Sequence, residues 1–373
     1  MMDINHKYVF GAIILSIVVA MIFIFGFTNS DIVDGIDESI GFFNDSYIHE
    51  IRLYFDDADW FDNLYENHMI EDDPYSSATL YHEKYGFYTV GVRFKGASSF
   101  SYPSNKKSFK IDVNEFFESC NIYDDLPECK DLSFYGLRKI NLNNGFKDPS
   151  FMREKIFLGI ASNYLPTIRA VFVNVYINDE YMGLYTGVEQ PEDTFIEMNY
   201  GEVGNLFECE RTESQGKGQS SFGSDLGYIS EEISDYYEYY ELKTTEKENS
   251  WEGLLHFIDV LNNYNDEDFV KEIEKIADVD EFLTMLALNN LFGNYDSYTG
   301  SSHNYYVYED TKGIFHPIFW DTNEAFGVFG QGAPASQSEA DIFYGNHILE
   351  ERFFSIPNYR ARYLEIVEDI ATS

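Results

Sequence analysis

The segments Asn294-Tyr295-Asp296 and Asn304-Tyr305-Tyr306-Val307-Tyr308 are followed by Phe315-His316-Pro317-Ile318-Phe319-Trp320-Asp321-Thr322-Asn323. Alternating side chains predict a short strand over 305–308, and the next apolar run predicts a second strand that ends at Asp321. Carboxylate and amide oxygens suit Mg²⁺ or Mn²⁺, and a further aspartate outside the ligand set can accept a proton from an attacking hydroxyl. The stretch therefore predicts a phosphoryl-transfer site at the end of a β-hairpin.

The order of these groups, an aspartate, then an asparagine, then a hairpin that ends in an aspartate, is also the order in protein kinases. The surrounding residues differ, since neither His-Arg-Asp nor Asp-Phe-Gly occurs and the interval from Asp296 to Asn304 is longer than the standard kinase loop. They resemble instead the spore-coat CotH kinase family, an atypical secreted branch of the kinase-like fold, over most of the chain after Ile51. The resemblance implies an α+β, bilobal protein-kinase-like fold, with a mostly antiparallel sheet in the N-terminal lobe and a helical C-terminal lobe.

The resemblance also implies a role for each polar group of the hairpin. Asp296 would orient the acceptor hydroxyl and take its proton, Asn304 would hold a metal ion, and Asp321 would bridge the metal to the phosphates of ATP. The family often has Trp-Asp-x-Asp where this chain has Trp320-Asp321-Thr322-Asn323, so Asn323 offers a carbonyl oxygen without the charge. The alternative is that these are turn residues, as lone Asp and Asn in loops commonly are.

A glycine turn followed by a lysine-bearing strand predicts a site for phosphate oxygens. The two segments, both similar to segments of the family, are Arg93-Phe94-Lys95-Gly96-Ala97-Ser98-Ser99 and Lys106-Lys107-Ser108-Phe109-Lys110-Ile111. Backbone N–H groups around Ser98 can approach a phosphate, and a strand lysine supplies a positive charge. A period of two places Lys106 and Lys110 on one face, opposite the apolar residues directed to the core, so either lysine is the candidate. A strand with solvated lysines is the alternative.

The segment Asp148-Pro149-Ser150-Phe151-Met152-Arg153-Glu154 resembles the start of the helix in the family's small lobe. A capping aspartate and a proline at the first helical position predict a helix over 151–163. Because arginine recurs in the family here, the resemblance makes Arg153 a candidate for cofactor binding. Ordinary kinases pair a helix glutamate with the strand lysine, a role open to Glu154. Plain capping and ion pairing are the alternative.

The segment 178–190, Asn-Asp-Glu-Tyr-Met-Gly-Leu-Tyr-Thr-Gly-Val-Glu-Gln, resembles the family's hairpin Asn-Gly-x-Tyr-x-Gly-x-Tyr-x-x-x-Glu. It is predicted to be the hinge between the lobes. The resemblance implies that backbone groups of this hinge hold the adenine, with Glu189 near the ribose or the amino group. Turn geometry and core packing would explain the Gly and Tyr positions equally well.

The chain of 373 residues carries 65 acidic and 25 basic side chains, a formal net charge of −40. This charge repels nucleic-acid phosphates and therefore argues against a DNA or RNA partner. Most of it is expected to hydrate the protein surface. The resemblance implies a different partner, a protein substrate on the cell surface or coat, phosphorylated on Ser or Thr with ATP and Mg²⁺ or Mn²⁺.

Residues 9–27 carry no charge and are long enough to cross a bilayer as one helix. The lack of an Ala-x-Ala-like cleavage site favours a membrane anchor over a cleaved signal peptide, with secretion as the alternative. Lys7 before the span and acidic residues after it predict a cytoplasmic segment 1–8 and a catalytic domain outside the membrane. Residues 28–48 are predicted to be a linker. Residues 49–373 are predicted to be one kinase domain, with a small lobe to about 190 and a large lobe from about 191.

Alternation predicts strands over 49–55, 86–94, 107–113 and 137–142, and helical spacing predicts helices over 251–262, 266–276, 280–291 and 353–370. The Ser-, Gly-, Glu- and Tyr-rich residues 210–240 are predicted to be a surface excursion or insertion. Cys120 and Cys129 flank an acidic loop and either form a disulfide or remain free thiols, while Cys209 is predicted to be a small buried residue.

Two functions are compatible with these residues. The first is an extracytoplasmic Ser/Thr kinase of the CotH type, favoured by the ordered set of lysine, aspartate, asparagine and aspartate. The second is a non-catalytic kinase-like protein that binds or scaffolds at the surface, favoured by the anchor, the acidity and the departure at Asn323. Hydrolases are disfavoured, because neither Gly-x-Ser-x-Gly nor His-Glu-x-x-His occurs.

Overall fold

The computed structural model describes residues 41–82, 86–116, 133–210, 224–244, 247, 250–329 and 342–373. Within these ranges the chain forms strands and helices in both halves, which confirms the predicted α+β class. The strands are β1 His49–Tyr54, β2 Ser76–His82, β3 Gly86–Lys95, β4 Ser108–Asp112, β5 Lys139–Asn143, β6 Ala170–Ile177, β7 Glu180–Glu189, β8 Asn205–Cys209, β9 Tyr240–Leu242, β10 Tyr305–Glu309 and β11 Phe315–Phe319. The α-helices are α1 Trp60–His68, α2 Ser98–Ser101, α3 Arg153–Ala161, α4 Asp193–Tyr200, α5 Glu252–Asn263, α6 Asp266–Ile276, α7 Val279–Leu291, α8 Tyr298–Ser301, α9 Ile348–Ser355 and α10 Pro357–Thr372.

The first seven strands form a closed barrel in the order β1-β2-β3-β4-β5-β7-β6. Neighbouring strands are antiparallel, as predicted for this part of the chain, except that β1 runs parallel to β6 with Ile51 opposite Val175. Phe94 on β3 and Phe109 on β4 are fully buried inside the barrel. Because side chains alternate along a strand, the neighbours of each phenylalanine on its own strand project outward. We call residues 49–189 the barrel half and residues 193–373 the helical half.

The barrel core extends to residues that precede β1. Phe42 is 1% exposed, and its ring packs against the rings of Phe134 and His49. The prediction of a linker over 28–48 is therefore wrong for its last residues, because an aromatic ring there is buried against the barrel. Residues 28–40 lie outside the described ranges.

The helical half has its own sheet and its own hydrophobic core. Its four strands are antiparallel in the order β11-β10-β8-β9. Helices α5 and α7 pack under this sheet with residues such as Phe257 and Phe282. Helix α3, expected within the small lobe, places Phe157 and Leu158 in this second core rather than in the barrel core. It therefore spans the boundary between the two halves.

Helix α3 begins later than predicted. Phe151 has φ 58° and is not helical, so Pro149 does not occupy the first helical position. The Asp148 carboxylate still acts as a cap, because its Oδ2 accepts a hydrogen bond from the backbone N–H of Arg153 at 2.9 Å.

Two other predicted segments also differ from the structure. The single helix predicted over 353–370 is two helices, since α9 ends at Ser355 and α10 starts at Pro357. Proline has no backbone N–H to donate and disfavours a helical conformation in the residue before it, so α9 cannot continue through Pro357. The segment 210–240, predicted to be a surface excursion or insertion, is largely exposed in its described part but is anchored by Leu226, Tyr236 and Tyr240, which lie in the second core. Their phenol rings and apolar side chains outweigh the polar composition of the segment.

Two sequence predictions concern features at the edge of the described ranges. No helix within those ranges is long and apolar enough to span a bilayer, and residues 9–27 fall outside them. Cys120 and Cys129 also fall outside, so their pairing stays a prediction. Cys209 is a buried free thiol, as predicted.

Glu350 on α9 is a carboxyl group buried in the helical half, with 1% of its surface exposed. Burial raises its pKa from 4.5 to about 8, and the Thr299 side chain and nearby backbone amides offset that burial only in part. The folded protein therefore keeps the proton on Glu350 at pH values at which the unfolded chain has lost it. Folding stability falls as pH rises from about 4.5 to about 8.

We expect Glu350→Gln to stabilise the protein by an amount that grows from pH 5.5 to pH 8, where it reaches roughly 3 to 5 kcal/mol. The amide keeps the shape of the side chain but does not ionise in this pH range. Urea unfolding at the two pH values measures the difference, and Glu351→Gln, at an exposed neighbour, is the control. A stabilisation that is equal at both pH values would contradict the assignment of a protonated Glu350.

Candidate active site

Asp296 lies in the loop between α7 and β10, in a position held by several hydrogen bonds. Its Oδ1 accepts a hydrogen bond from the hydroxyl of Ser301 at 3.0 Å and lies 3.3 Å from Nε2 of His303. Its backbone oxygen accepts a hydrogen bond from Nδ2 of Asn304 at 2.9 Å. Asn304 is 6% exposed, and this bond leaves its Oδ1 as the atom directed to other partners. The loop thus fixes Asp296 and Asn304 relative to each other.

The register of the second sheet brings the polar groups to one end. Tyr305 at the start of β10 pairs with Phe319 at the end of β11 and with Cys209 at the end of β8. The three strands therefore share this end, and the residues that leave the sheet there are Glu210, Asn304 and Asp321. Asn304, Asp321 and Glu210 therefore lie at the same end of this sheet.

Asn304 and Asp321 both have left-handed backbone conformations, with φ 60° and φ 46°. Non-glycine residues rarely adopt this region, although Asn and Asp tolerate it better than most. Such conformations persist where the surrounding structure over-determines them, often at functional sites. Here they turn two oxygen-bearing side chains sharply away from the ends of β10 and β11.

Carboxylates crowd this end of the sheet. Burial, followed by the charges of Glu324 and Asp321, raises the pKa of Asp296 against the opposing effect of His303. Burial and the charge of Asp321 also raise the pKa of Glu154, a residue of α3 that is 4% exposed. The protein therefore offsets only part of the repulsion between these carboxylates. A bound cation would reduce that repulsion.

Glu210 belongs to the same crowded group. Burial by the protein around it raises its pKa, and the charges of Glu208, Asp321 and Asp296 raise it further. Its side chain is 36% exposed. The carboxylate can reach the same space as Asp321 from the end of β8.

Lys95 brings positive charge to this site from the barrel half. Its Nζ donates a hydrogen bond to Oδ1 of Asn143 at 3.0 Å and lies 4.9 Å from the centre of the Trp320 ring, the residue before Asp321. The charge of Lys95 lowers the pKa of Glu154. The lysine is the last residue of β3 and directly precedes the turn at Gly96. Alternation with Arg93, on the face opposite Phe94, is the sequence signal that it points away from the barrel core.

The two lysines predicted from the sequence have different surroundings. Nζ of Lys106 donates hydrogen bonds to the backbone oxygens of Asn144 at 2.9 Å and Leu184 at 2.6 Å, so it links the residue after β5 to β7. The Nζ of Lys110 makes no hydrogen bond or ion pair with any described residue, although its backbone pairs within the barrel. Burial, then the charge of Lys243, lowers the pKa of Lys110 to about 7, while Glu208 opposes this shift. Lys110 is therefore the lysine directed to the boundary between the two halves.

Three other predicted cofactor residues are placed as follows. Ser98 is exposed at the start of α2, three residues after Lys95. Arg153 donates hydrogen bonds to Oδ1 of Asp148 at 3.0 Å and to the backbone oxygen of Lys147, so it braces the start of α3. Glu189 is 1% exposed, and its Oε2 accepts a hydrogen bond from Nε of Arg169 at 2.9 Å. Arg169 also bonds its other oxygen.

Asn323, the last predicted metal ligand, lies in the 3₁₀ turn Thr322–Glu324 that follows Asp321. Its side chain is half-buried and makes no hydrogen bond with a described residue. The next residue, Glu324, accepts hydrogen bonds from Nζ of Lys147 at 2.7 and 2.9 Å. This ion pair, between the buried Glu324 and the exposed Lys147, ties the turn of Asp321 to the loop before α3.

A second group with metal-ligating side chains lies outside this site. Asp278, Glu281 and His316 each offer one ligand atom within 4.8 Å of the others. Asp278 is the N-cap of α7, with its side chain accepting from the Glu281 amide, and Nδ1 of His316 lies 2.8 Å from the Glu281 carboxylate. Neighbouring carboxylates raise the pKa of His316 against the effect of its burial. A helix cap and an imidazolium ion pair account for this group.

Comparison with known proteins gives a consistent result. The family model described as CotH kinase protein matches residues 92–373. Inner spore coat protein H of Bacillus subtilis (strain 168) is 28% identical over 268 residues, which cover 69% of this chain and 71% of that protein. The matched region includes Lys95, Glu154 and the whole of the second sheet.

We expect Lys106→Met to lower the free energy of unfolding by about 1 to 3 kcal/mol, because two partly buried backbone oxygens would lose a charged donor. Urea unfolding measures this, and Lys312→Met, in the exposed turn between β10 and β11, is the matched control. A Lys106→Met variant as stable as the wild type would contradict a structural role and would favour this lysine as the phosphate ligand.

Proposed function

Because the chain belongs to the CotH kinase protein family, we propose that it is an ATP-dependent protein kinase that phosphorylates Ser or Thr of coat or cell-surface proteins. The name of the similar Bacillus subtilis protein, an inner spore coat protein, supports a coat protein as the substrate. The uncharged stretch 9–27 supports a location outside the cytoplasm, either anchored in the membrane or secreted after cleavage.

The observation that carries this proposal is the group of crowded carboxylates around Asp321 that faces Lys95 across the boundary between the two halves. Triphosphate bound with a divalent ion needs both charges, anionic ligands for the ion and cations for the phosphate oxygens. The separate cores of the barrel half and the helical half support a bilobal arrangement, with this site at the boundary.

The side chains present fit Mg²⁺ or Mn²⁺. They offer carboxylate oxygens of Asp321 and Glu210 and the amide oxygens of Asn304 and Asn323. A bound ion would offset the carboxylate repulsion and withdraw charge from the phosphate oxygens. We assign Asp321 and Asn304 as the principal ligands.

Asp296 holds the acceptor hydroxyl in this mechanism. The hydroxyl oxygen forms a bond to the γ-phosphorus, the bond from that phosphorus to the β–γ bridging oxygen breaks, and ADP leaves with the electron pair. The proton of the hydroxyl passes to the Asp296 carboxylate. Ser301 and His303 keep this carboxylate oriented at Oδ1. Oδ2, which neither of them contacts, is the oxygen directed to the substrate.

The barrel half supplies the contacts to the nucleotide. Lys95 is placed for the phosphates beside Asp321, and backbone N–H groups of the turn through Ser98 can approach the same oxygens. Among the described residues, the Nζ of Lys110 has no hydrogen-bond or ion-pair partner, and a phosphate or ribose oxygen would supply one. The residues after β7 would hold the adenine through their backbone, while Glu189 remains bonded to Arg169.

We expect the purified protein to transfer label from γ-labelled ATP to a coat protein in the presence of Mn²⁺ or Mg²⁺. Asp296→Asn and Asp321→Asn should each lower the rate by about 10²- to 10³-fold, because they remove the proton acceptor and a metal ligand. Asp266→Asn, at an aspartate whose side chain is 69% exposed on α6, is the control. Transfer that is absent, or equal in Asp321→Asn and the wild type, would refute the kinase.

Nucleotide binding separates the kinase from the alternative, a non-catalytic scaffold favoured by the uncharged Asn323. We expect ATP with Mn²⁺ at about 100 times the dissociation constant to stabilise the kinase by about 2.7 kcal/mol, measured as a rise in melting temperature. Asp321→Asn should lose the part of the shift that depends on Mn²⁺, while Asp266→Asn keeps it. A wild-type shift near zero would favour the scaffold.

A further inference from the structure

The side chain of Asn143 lies between Lys95 and Glu154. Its Oδ1 accepts a hydrogen bond from Nζ of Lys95 at 3.0 Å. Its Nδ2 donates hydrogen bonds to both carboxylate oxygens of Glu154, at 3.0 and 2.9 Å. Asn143 is 9% exposed and Glu154 is 4% exposed, so these bonds are largely shielded from water. Among the described residues, Lys95 has no direct ion pair with Glu154.

The chemistry of the three side chains determines how they can be joined. A lysine ammonium only donates hydrogen bonds, and an ionised carboxylate only accepts them. A group between them must accept on one side and donate on the other, which a primary amide does with its two ends. Asn143 is therefore oriented by its partners, with oxygen toward Lys95 and nitrogen toward Glu154.

The three residues belong to three elements that must keep a common geometry. Lys95 ends β3, Asn143 ends β5, and Glu154 is in the first turn of α3. The end of β5 is itself held, because the backbone N–H of Asn144 donates to the hydroxyl of Ser108 at 3.0 Å. A shift of α3 would therefore be transmitted to Lys95 through the amide.

We propose that Asn143 is a positioning residue that fixes Lys95 for the phosphates of the nucleotide by linking it to Glu154 on α3. This inference rests on the proposed function in one respect, the contact of Lys95 with phosphate. The link itself is a property of the protein alone. Lys95 is held at two points, by the amide oxygen on one side and by the face of Trp320 on the other.

Kinetics with the full-length protein test the role in nucleotide binding. We expect Asn143→Leu to raise the KM for ATP by about tenfold and to change kcat by less than about threefold, because positioning of a phosphate ligand is lost. Asn143→Gln keeps an amide and should recover most of the KM effect. Asn174→Leu, on β6 with its own side-chain bond to Tyr181, is the control for loss of an asparagine from the barrel. A merely structural role would lower kcat through loss of folded enzyme and leave the KM unchanged.

Chemical labelling tests the link without any reference to activity. Acetylation of lysines by an N-hydroxysuccinimide ester, followed by mass spectrometry of peptides, gives the labelling rate of Lys95 relative to Lys106 in the same sample. Asn143→Leu should raise this ratio at least threefold, because Lys95 loses its acceptor while Lys106 keeps its two backbone partners. Asn174→Leu should leave the ratio as in the wild type.

The two readouts separate the inference from the proposed function. A changed labelling ratio in a protein that neither binds nor uses ATP would support the link and refute the kinase. An active wild type with an unchanged ratio and an unchanged KM in Asn143→Leu would overturn the inference and leave the kinase intact. If Asn143→Leu does not fold, Asn143→Ser decides, since its shorter side chain cannot reach both partners. Wild-type values of the ratio and the KM in that variant overturn the inference.

Discussion

Negative charge gathered at the boundary between two hydrophobic cores is the condition on which the rest of this structure depends. Burial and the charge of Asp321 together raise the pKa values of Asp296 and Glu154. Positive charge near this group comes from Lys95, whose charge lowers the pKa of Glu154, and from Lys147, which pairs with Glu324. Such an arrangement is costly for a folded protein that holds no ligand and favourable for one that holds a divalent ion with a triphosphate.

Regular strands and helices bring these carboxylates together. Three antiparallel strands end at one level, so side chains from distant parts of the chain arrive together without a long loop. Left-handed residues then turn two of these side chains toward the boundary. Helix α3 presents Glu154 to the same space while its apolar residues lie in the core of the helical half. The site is thus built on rigid elements from both halves, which limits the movement available to each carboxylate.

Those parts of the fold and of the candidate site that depend on local periodicity or on the order of motifs could be predicted from the sequence. The hairpin β10–β11, the site loop and the family were identified from residues 294–323, and the family is confirmed. Glu210 was missed because β8 is too short to be recognised in a polar segment. Lys95 could not be singled out from the sequence, because a lysine at the end of β3 has the same local pattern as a solvated strand lysine. Closure of the barrel was missed because pairing between β1 and β6 has no local signal.

The parallel contact between β1 and β6 has a consequence for how the protein is made. Ile51 pairs with Val175, so one edge of the first strand stays open until roughly 120 more residues have been synthesised. An open strand edge invites pairing with other chains, and a nascent chain exposes it for several seconds at ordinary translation rates. Arg52 and Glu50, charged and facing solvent on that strand, protect it during this interval. Closure of the barrel therefore depends on a long-range contact that forms late in synthesis. The charged face of β1 disfavours pairing with other chains until then.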